Sequence, residues 1–233
     1  MKTESNANAT KAWNQPAAAL IFDMDGTIVD NMRFHEDAWG KLLTSHGLPF
    51  DADEFFHRTA GMAVGEIITP LFPQATPEEV IALGEAKEVF YRDAYRAHVA
   101  ALPGLLPLMA RAQSCGVPMA VASAAPPENI ALVLDTLGLR SHFATVISPS
   151  QGYRGKPHPD MFIEAARRMD VAPAACLVFE DAPNGIEAAR RAGMRAVAML
   201  TMLGADGFAG YDNVIASAVD FNALDRLPAL RFD

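Results

Sequence analysis

The run AAALIFDMDGT from Ala17 rises in hydrophobicity and then stops abruptly at acids and glycine. A buried parallel strand reads this way, because both of its faces are covered and only its carboxyl end meets a solvated loop. Four later segments repeat the form: PMAVASA from Pro118, ATVISPS from Ala144, CLVFED from Cys176 and RAVAML from Arg195. NVIAS from Asn213 fits a last edge strand. Between them, 105–115, 129–137, 161–169 and 186–192 carry apolar residues at helical spacing and close on glycine or a turn, as at Gly116, Gly138 and Gly193. Strand alternating with helix in this way predicts an α/β fold, a doubly wound parallel sheet with helices on both faces.

Residues 31–102 break the rhythm. The pattern Phe34-His35-x-x-Ala38-Trp39-x-x-Leu42-Leu43 and the stretch 78–97 are helical, and no strand pattern returns before Pro118. The simplest organisation is a catalytic α/β core of 17–30 and 103–233 with a small all-helical cap, 31–102, inserted after the first strand. Gly26 and the pair Pro103-Gly104 mark the junctions, and 1–16 forms a frayed, flexible N-terminal tail. With 233 residues, the chain suits one large domain carrying an insertion.

The composition is 51% hydrophobic and 20% charged, with a net charge of -9. These values exclude a disordered chain, and the acidic balance argues against a nucleic-acid partner because a phosphate polymer would be repelled. No segment approaches the ~18 apolar residues of a membrane span, and MKTESNANATKAWNQP lacks the apolar stretch of a signal peptide. Cys115 and Cys176 have neither disulfide-framework nor zinc spacing, so a cytoplasmic protein with two inert thiols is expected. A monomer is the expected state and a weak dimer the alternative, since no heptad or long apolar edge separates them.

Ligands of an open parallel sheet sit beyond the carboxyl ends of its strands. Those ends carry Asp23-Met24-Asp25-Gly26-Thr27, Ser123, Lys156-Pro157-His158-Pro159-Asp160 and Glu180-Asp181. Asp23 and Asp25, two residues apart in extended chain, lean toward one side of the sheet. With Glu180 and Asp181 converging, the acids make an oxygen-only site that suits Mg²⁺ rather than zinc. A hard cation with open coordination grips phosphate; Ser123 can donate to a phosphoryl oxygen, and Lys156 can neutralise developing charge. Helix amino termini past Ser123 and Pro159 add dipole and backbone donors. Glu180 is open between a direct metal ligand and a capping or paired acid. Asp160 reads as a first-turn acid that stabilises its helix. His46, His57, His98, His142 and His158 have no ligand spacing.

FDMDGTIVDN, the ASA around Ser123, KPHPD and FEDAPNGIEAA resemble, in order, the four motifs of the haloacid dehalogenase superfamily of phosphotransferases. The helical insert and MRFHEDAW from Met32 resemble its β-phosphoglucomutase-like branch of sugar-phosphate phosphatases and mutases. The resemblance implies a Rossmann-like core and an aspartyl-phosphate on Asp23, with Asp25 as general acid and base. It further implies Mg²⁺ held by Asp23, the Asp25 carbonyl, Asp181 and Glu180, and phosphate bound by Thr27, Ser123, the Ala124 backbone and Lys156. His35 and Trp39 fall at hinge and substrate-contact positions, and Lys87 is a further cap contact. The acid at position 25 favours phosphate esters over the dehalogenase and phosphonatase chemistry of related branches.

Two features depart from mutases of that branch. The cap segment Gly61-Met62-Ala63-Val64-Gly65 has no arginine, and Ser123 is followed by Ala124-Ala125-Pro126-Pro127, so both anchors for a second phosphate are missing. Arg58 is the nearest substitute. The expected function is a phosphatase of small phosphate monoesters, most naturally a sugar phosphate. The alternative is a phosphosugar mutase, and a third reading is a silent metabolite-binding protein, against which the acids at 23, 25 and 181 speak.

Overall fold

The computed structural model describes residues 15–59 and 61–232. The tail 1–14 and the side chain of His57 lie outside the described residues, whereas Arg58 is exposed and reaches Glu54 Oε1 at 3.4 Å. Six strands, β1 (Ala19–Phe22), β2 (Met119–Ala122), β3 (Thr145–Ile147), β4 (Cys176–Glu180), β5 (Arg195–Met199) and β6 (Val214–Ala218), form one parallel sheet in the order β3-β2-β1-β4-β5-β6. The chain starts at the centre, winds outward through β2 and β3, and returns to β4 on the other side of β1. The winding direction therefore reverses beside β1 and β4, where a doubly wound sheet opens its ligand crevice.

Four helices precede α5 (Leu105–Ser114): α1 (Met32–Ser45), α2 (Ala52–Thr59), α3 (Val64–Leu71) and α4 (Pro77–Tyr95). They surround an apolar cluster of their own built from Trp39, Leu42, Leu43, Phe55, Ile67 and Ile68. The long helix α4 is fixed at its start by a capping box, Thr76 accepting from the Glu79 N–H while the Glu79 carboxylate accepts from the Thr76 N–H. The two chain crossings between this unit and the sheet run side by side, with the Leu102 N–H donating to Ile28 O at 2.8 Å.

Alternation along the strands gives the sheet two unlike faces. Leu20, Phe22, Val121, Leu177 and Phe179 face α5 and α6 (Pro127–Thr136), with Phe22 stacked on Phe179 at 4.8 Å. Ala19, Ala120, Ala122, Ala196 and Ala198 face α7 (Asp160–Arg168) and α8 (Pro183–Arg191), whose own contact residues include Ala165, Ala166, Ala188 and Ala189. Small side chains on both sides let these helices lie close to the strands and bring their amino termini near the crevice.

Candidate active site

Asp23 stands immediately beyond β1, its N–H donating to Phe179 O of β4 at 3.0 Å. The chain then turns sharply, Met24 O accepting from the N–H groups of Thr27, Ile28 and Val29. Gly26 sits in this turn at φ 73°, where a Cβ would lie 2.5 Å from Asp181 Cγ and closer still to its carboxylate. Glu180 ends β4. A Cβ on Gly185, in the first turn of α8, would lie 2.6 Å from Glu180 Cγ, so these two glycines let both acids lie against backbone.

Asp23, Glu180 and Asp181 are buried and offer carboxylate oxygens within 4.8 Å of one another. One cation answers them directly: Lys156 Nζ, itself buried, donates to Asp23 Oδ1 and, at 2.6 Å, to Glu180 Oε1. Burial pushes the Asp23 carboxyl up to about 7 despite Lys156, and Glu180 and Asp25 push the same way. Burial, Glu180 and Asp23 raise Asp181 well above the ordinary carboxylate value, and its Oδ2 has no partner. Three crowded acids, one ammonium and an orphaned carboxylate oxygen fit a hard divalent cation. Glu180 is also fixed from the other side, its Oε2 accepting from the Ala182 N–H at 2.6 Å.

Asp25 belongs to a different neighbourhood. Its Oδ1 accepts from Asn31 Nδ2 at 2.6 Å, and Asn31 Oδ1 in turn accepts from the Gly26 N–H. His35 Nε2 lies 3.5 Å away, with the ring stacked on Tyr91 at 3.8 Å. Burial alone would raise the Asp25 carboxyl, but His35, Asn31 and Lys87 outweigh it and hold it below its ordinary value. Without a metal the two carboxyls of one turn are driven apart, Asp23 upward and Asp25 downward, and a cation among Asp23, Glu180 and Asp181 would return Asp23 to its ionised form.

These groups border a cavity of about 80 Å³, lined by Asp23, Asp25, Ser123 and Asp181 on the sheet side and by His35, Trp39, Met62 and Lys87 on the helical side. Ser123 Oγ accepts from the Ala125 N–H, leaving its hydroxyl hydrogen for a ligand, and Ala124 lies beside it on the cavity wall. Lys87 is buried, its Nζ 2.7 Å from His35 Nδ1 and 3.0 Å from Glu88 Oε1. Thr27 and Lys156 are not among the residues bordering the cavity. Thr27 is fully buried with Oγ1 unpartnered, and Lys156 is spent on Asp23 and Glu180. Asp160 holds Arg154 in a forked pair at 2.7 and 2.8 Å on the surface.

Sequence reading passes over Asn31, Glu88, Tyr91 and Asn129. Glu88 and Tyr91 lie on the buried stripe of α4 with Gly84, Lys87 and Tyr95, a spacing present in the sequence. Asn31 and Asn129 belong to no such stripe, and only the fold brings Asn129 to Glu88 and Arg92 and Asn31 to Tyr91.

A family model, haloacid dehalogenase-like hydrolase, matches residues 17–193. The chain belongs to the haloacid dehalogenase-like hydrolases. It is 37% identical over 186 residues to a fructose-1-phosphate phosphatase of Escherichia coli, covering 77% of this chain and 95% of that one. It is 32% identical over 199 residues to a β-phosphoglucomutase of Bacillus subtilis, covering 81% and 87%. Among solved structures, a β-phosphoglucomutase of Clostridium difficile superposes with a TM-score of 0.78 at 26% identity, covering 90% of this chain and 94% of that one. A family IA hydrolase of Entamoeba histolytica gives 0.81 at 22% identity, covering 91% and 97%. The protein is a phosphatase or phosphomutase of this family, and the acidic cluster at the end of its central strands is placed to hold a metal. No helix among the described residues is long and apolar enough to cross a membrane.

Proposed function

We propose that this enzyme is a Mg²⁺-dependent phosphatase of small sugar monophosphates, working through an aspartyl-phosphate on Asp23. The observation that carries the preference for a monophosphate is the charge of the cavity wall. Among its described residues the only cationic side chain is Lys87, already committed to His35 and Glu88, and Glu88 adds a carboxylate. A second phosphate there would meet no free counter-charge. The share of the fructose-1-phosphate phosphatase that the match covers supports the same substrate class.

In this reading Asp23 attacks phosphorus and the leaving alcohol takes a proton from Asp25, which then withdraws one from water to release inorganic phosphate. Asp25 stands beside the His35 ring, and Ser123 and the Ala124 backbone orient the phosphoryl oxygens. Asp23, Asp181, Glu180 and the Asp25 carbonyl would hold Mg²⁺, which when bound supplies positive charge to the transferring group. Lys156 secures Asp23 and Glu180 from behind. Residues 31–102 act as a cap that closes over the reacting groups, with His35, Trp39 and Lys87 presented to the substrate. At 80 Å³ the cavity falls short of the ~300 Å³ of an ordinary small-molecule site, so the cap must open to admit a sugar phosphate.

The kinship to β-phosphoglucomutase keeps the mutase as the competing reading. Phosphorus NMR of the protein with Mg²⁺, β-glucose 1-phosphate and a trace of glucose 1,6-bisphosphate, then with a panel of sugar phosphates, separates them. Inorganic phosphate from a panel member is the expected result. Glucose 6-phosphate as product would overturn the phosphatase assignment.

A further inference from the structure

A second space, a cleft of about 500 Å³, opens where the chain first crosses from the sheet into the helical unit. Asp30, Arg33 and Glu36 border it around the start of α1, Ala52 at the start of α2 and Thr201 after β5. Thr201 Oγ1 donates to Gly26 O at 2.5 Å, which fixes that last wall to the turn carrying Asp25. Among the described residues, Met32 alone borders both this cleft and the catalytic cavity. Its place on α1 explains why. Met32, His35 and Trp39 recur at helical spacing along the cavity, while Arg33 and Glu36 occupy the neighbouring stripe along the cleft. Met32 is the first residue of α1, and helical side chains tilt toward the amino terminus, so it projects past the helix start between the two spaces. Helix α2 runs beside both, with Ala52 at the cleft and Thr59, roughly two turns or about 10 Å further on, at the cavity.

The catalytic cavity is too small for the whole of a sugar phosphate, so the leaving alcohol has to continue into neighbouring space. Asp25 gives the direction. As proton donor it must reach the ester oxygen, and its Oδ1 already accepts from Asn31, the residue before Met32. An alcohol whose oxygen lies at Asp25 therefore has Met32 beside it, and the cleft lies beyond. Methionine suits a movable partition. Its unbranched chain has three rotatable bonds, and half-buried at the edge of both spaces it can turn aside without movement of the backbone.

Resting on the reading of Asp25 as proton donor, we propose that Met32 is a specificity-determining residue, a partition that turns aside to admit the far end of the leaving alcohol into the cleft. The substrate class is a phosphate monoester whose alcohol outgrows the cavity and carries no anion at its far end, because Asp30, Glu36 and Asp53 outnumber Arg33 around the cleft.

The test uses monophosphates of straight-chain diols from butanediol to octanediol, whose leaving oxygens are nearly equal in basicity, and the matching ω-hydroxyalkyl phosphonates, which bind without being cleaved. Wild type is compared with Met32→Ala, which removes the partition, and with Ala52→Phe, which fills the cleft from a residue that does not border the cavity. Each methylene that passes into the cleft is expected to raise kcat/KM and phosphonate affinity about twofold to fourfold. The ratio of the octanediol to the butanediol ester should rise about tenfold in Met32→Ala and fall about tenfold in Ala52→Phe. A ratio unchanged in either variant, even with an equal loss of rate at every length, would overturn the proposal, since a residue that merely packs its helix acts alike on all chain lengths. At the longest length a terminal ammonium should be accepted about tenfold better than a terminal carboxylate at low salt, and equal acceptance would overturn the assignment of the cleft. Calorimetry of phosphonate binding with Mg²⁺ separates this proposal from the reading beneath it. A wild type that cleaves no ester but binds longer phosphonates more tightly would count against the phosphatase alone. Phosphonates that do not bind, or bind without regard to length, would overturn the role of Met32.

Discussion

Replacing Gly26 by alanine tests whether the turn after β1 is glycine because of its backbone or because of Asp181. Two costs act together. At φ 73° an L side chain costs roughly 1–2 kcal/mol. The new methyl would also lie 2.5 Å from Asp181 Cγ, and overpacking of this kind costs about 1–3 kcal/mol more. Gly193 separates the two, since it has the same φ of 73° and nothing within 4 Å of its would-be Cβ. The strain cancels in the comparison, leaving only the Asp181 contact. For a chain of this size 1 kcal/mol moves Tm by roughly 2–4 °C, so Gly26→Ala should melt roughly 2–12 °C below Gly193→Ala. Thermal denaturation with and without Mg²⁺ is the assay, and the Mg²⁺-induced rise in Tm should shrink in Gly26→Ala and not in Gly193→Ala, because Asp181 is displaced. Equal melting temperatures and equal Mg²⁺ responses would refute the argument that glycine is required there to make room for a metal ligand.

Asp23→Asn should lower sugar-phosphate hydrolysis by a factor on the order of 10³ or more while leaving far-ultraviolet circular dichroism unchanged, and activity surviving in that variant would remove Asp23 as nucleophile. Lys156→Met strands Asp23 and Glu180 without their cation, a loss of about 3–5 kcal/mol in metal-free protein, and differential scanning fluorimetry should show a larger Mg²⁺-induced rise in Tm than in wild type. Chelated wild-type protein should lose stability as pH rises from about 4 to about 7. Over that window Asp23, at about 7 folded against an ordinary 3.8, binds more protons in the native state. Mg²⁺ should flatten this slope in urea titrations, because it favours the ionised carboxylate and releases the proton. Gly155→Ala would place a methyl 3.0 Å from the Ala63 N–H and against the Glu66 carboxylate that accepts from it at 3.1 Å. Activity should fall about threefold to tenfold with Tm nearly unchanged, since the contact props the cap rather than the sheet; a wild-type rate would show that this approach is not made during turnover.

The sheet was legible because its strands are buried on both faces, which turns each into an apolar run with a sharp end, and the end is where chemistry-bearing residues collect. Asp23, Ser123 and Asp181 follow from that rule, and β6 from its position after β5. The helical stretch at 78–97 corresponds to α4, whose first turn is written in Thr76-Pro77-Glu78-Glu79. Thr27 and Lys156 also follow from the strand-end rule, and what it does not give is their surroundings: Thr27 is fully buried, and Lys156 reaches Asp23 and Glu180 without bordering the cavity itself. Lys87, expected as a cap contact, borders the cavity, and its ammonium is also held by His35 and Glu88. Asn129 could not be found from local pattern at all. Its partners are 41 and 37 residues away on another helix, and a lone asparagine in a helix first turn reads as a cap.

The two departures from the mutase pattern acquire a common physical sense once α4 and α6 are seen together. Where a bisphosphate must be held by its remote end, cap and core need free cations across the cavity from the reacting group. Here the lysine on that wall is neutralised by a carboxylate, and the carboxylate is tied to the core by an amide. Polar groups that would otherwise grip a second anion are consumed in joining cap to core. Trp39, Met62, Val64 and Ile67 supply an apolar wall in their place. Such a wall gives a neutral alcohol surface to lie against and no charge to keep it, so after its phosphoryl group is transferred the alcohol can leave and water can take its place. A mutase must prevent that exchange, since the intermediate has to stay and turn over within the site. The same contacts that hold the cap shut therefore argue for hydrolysis.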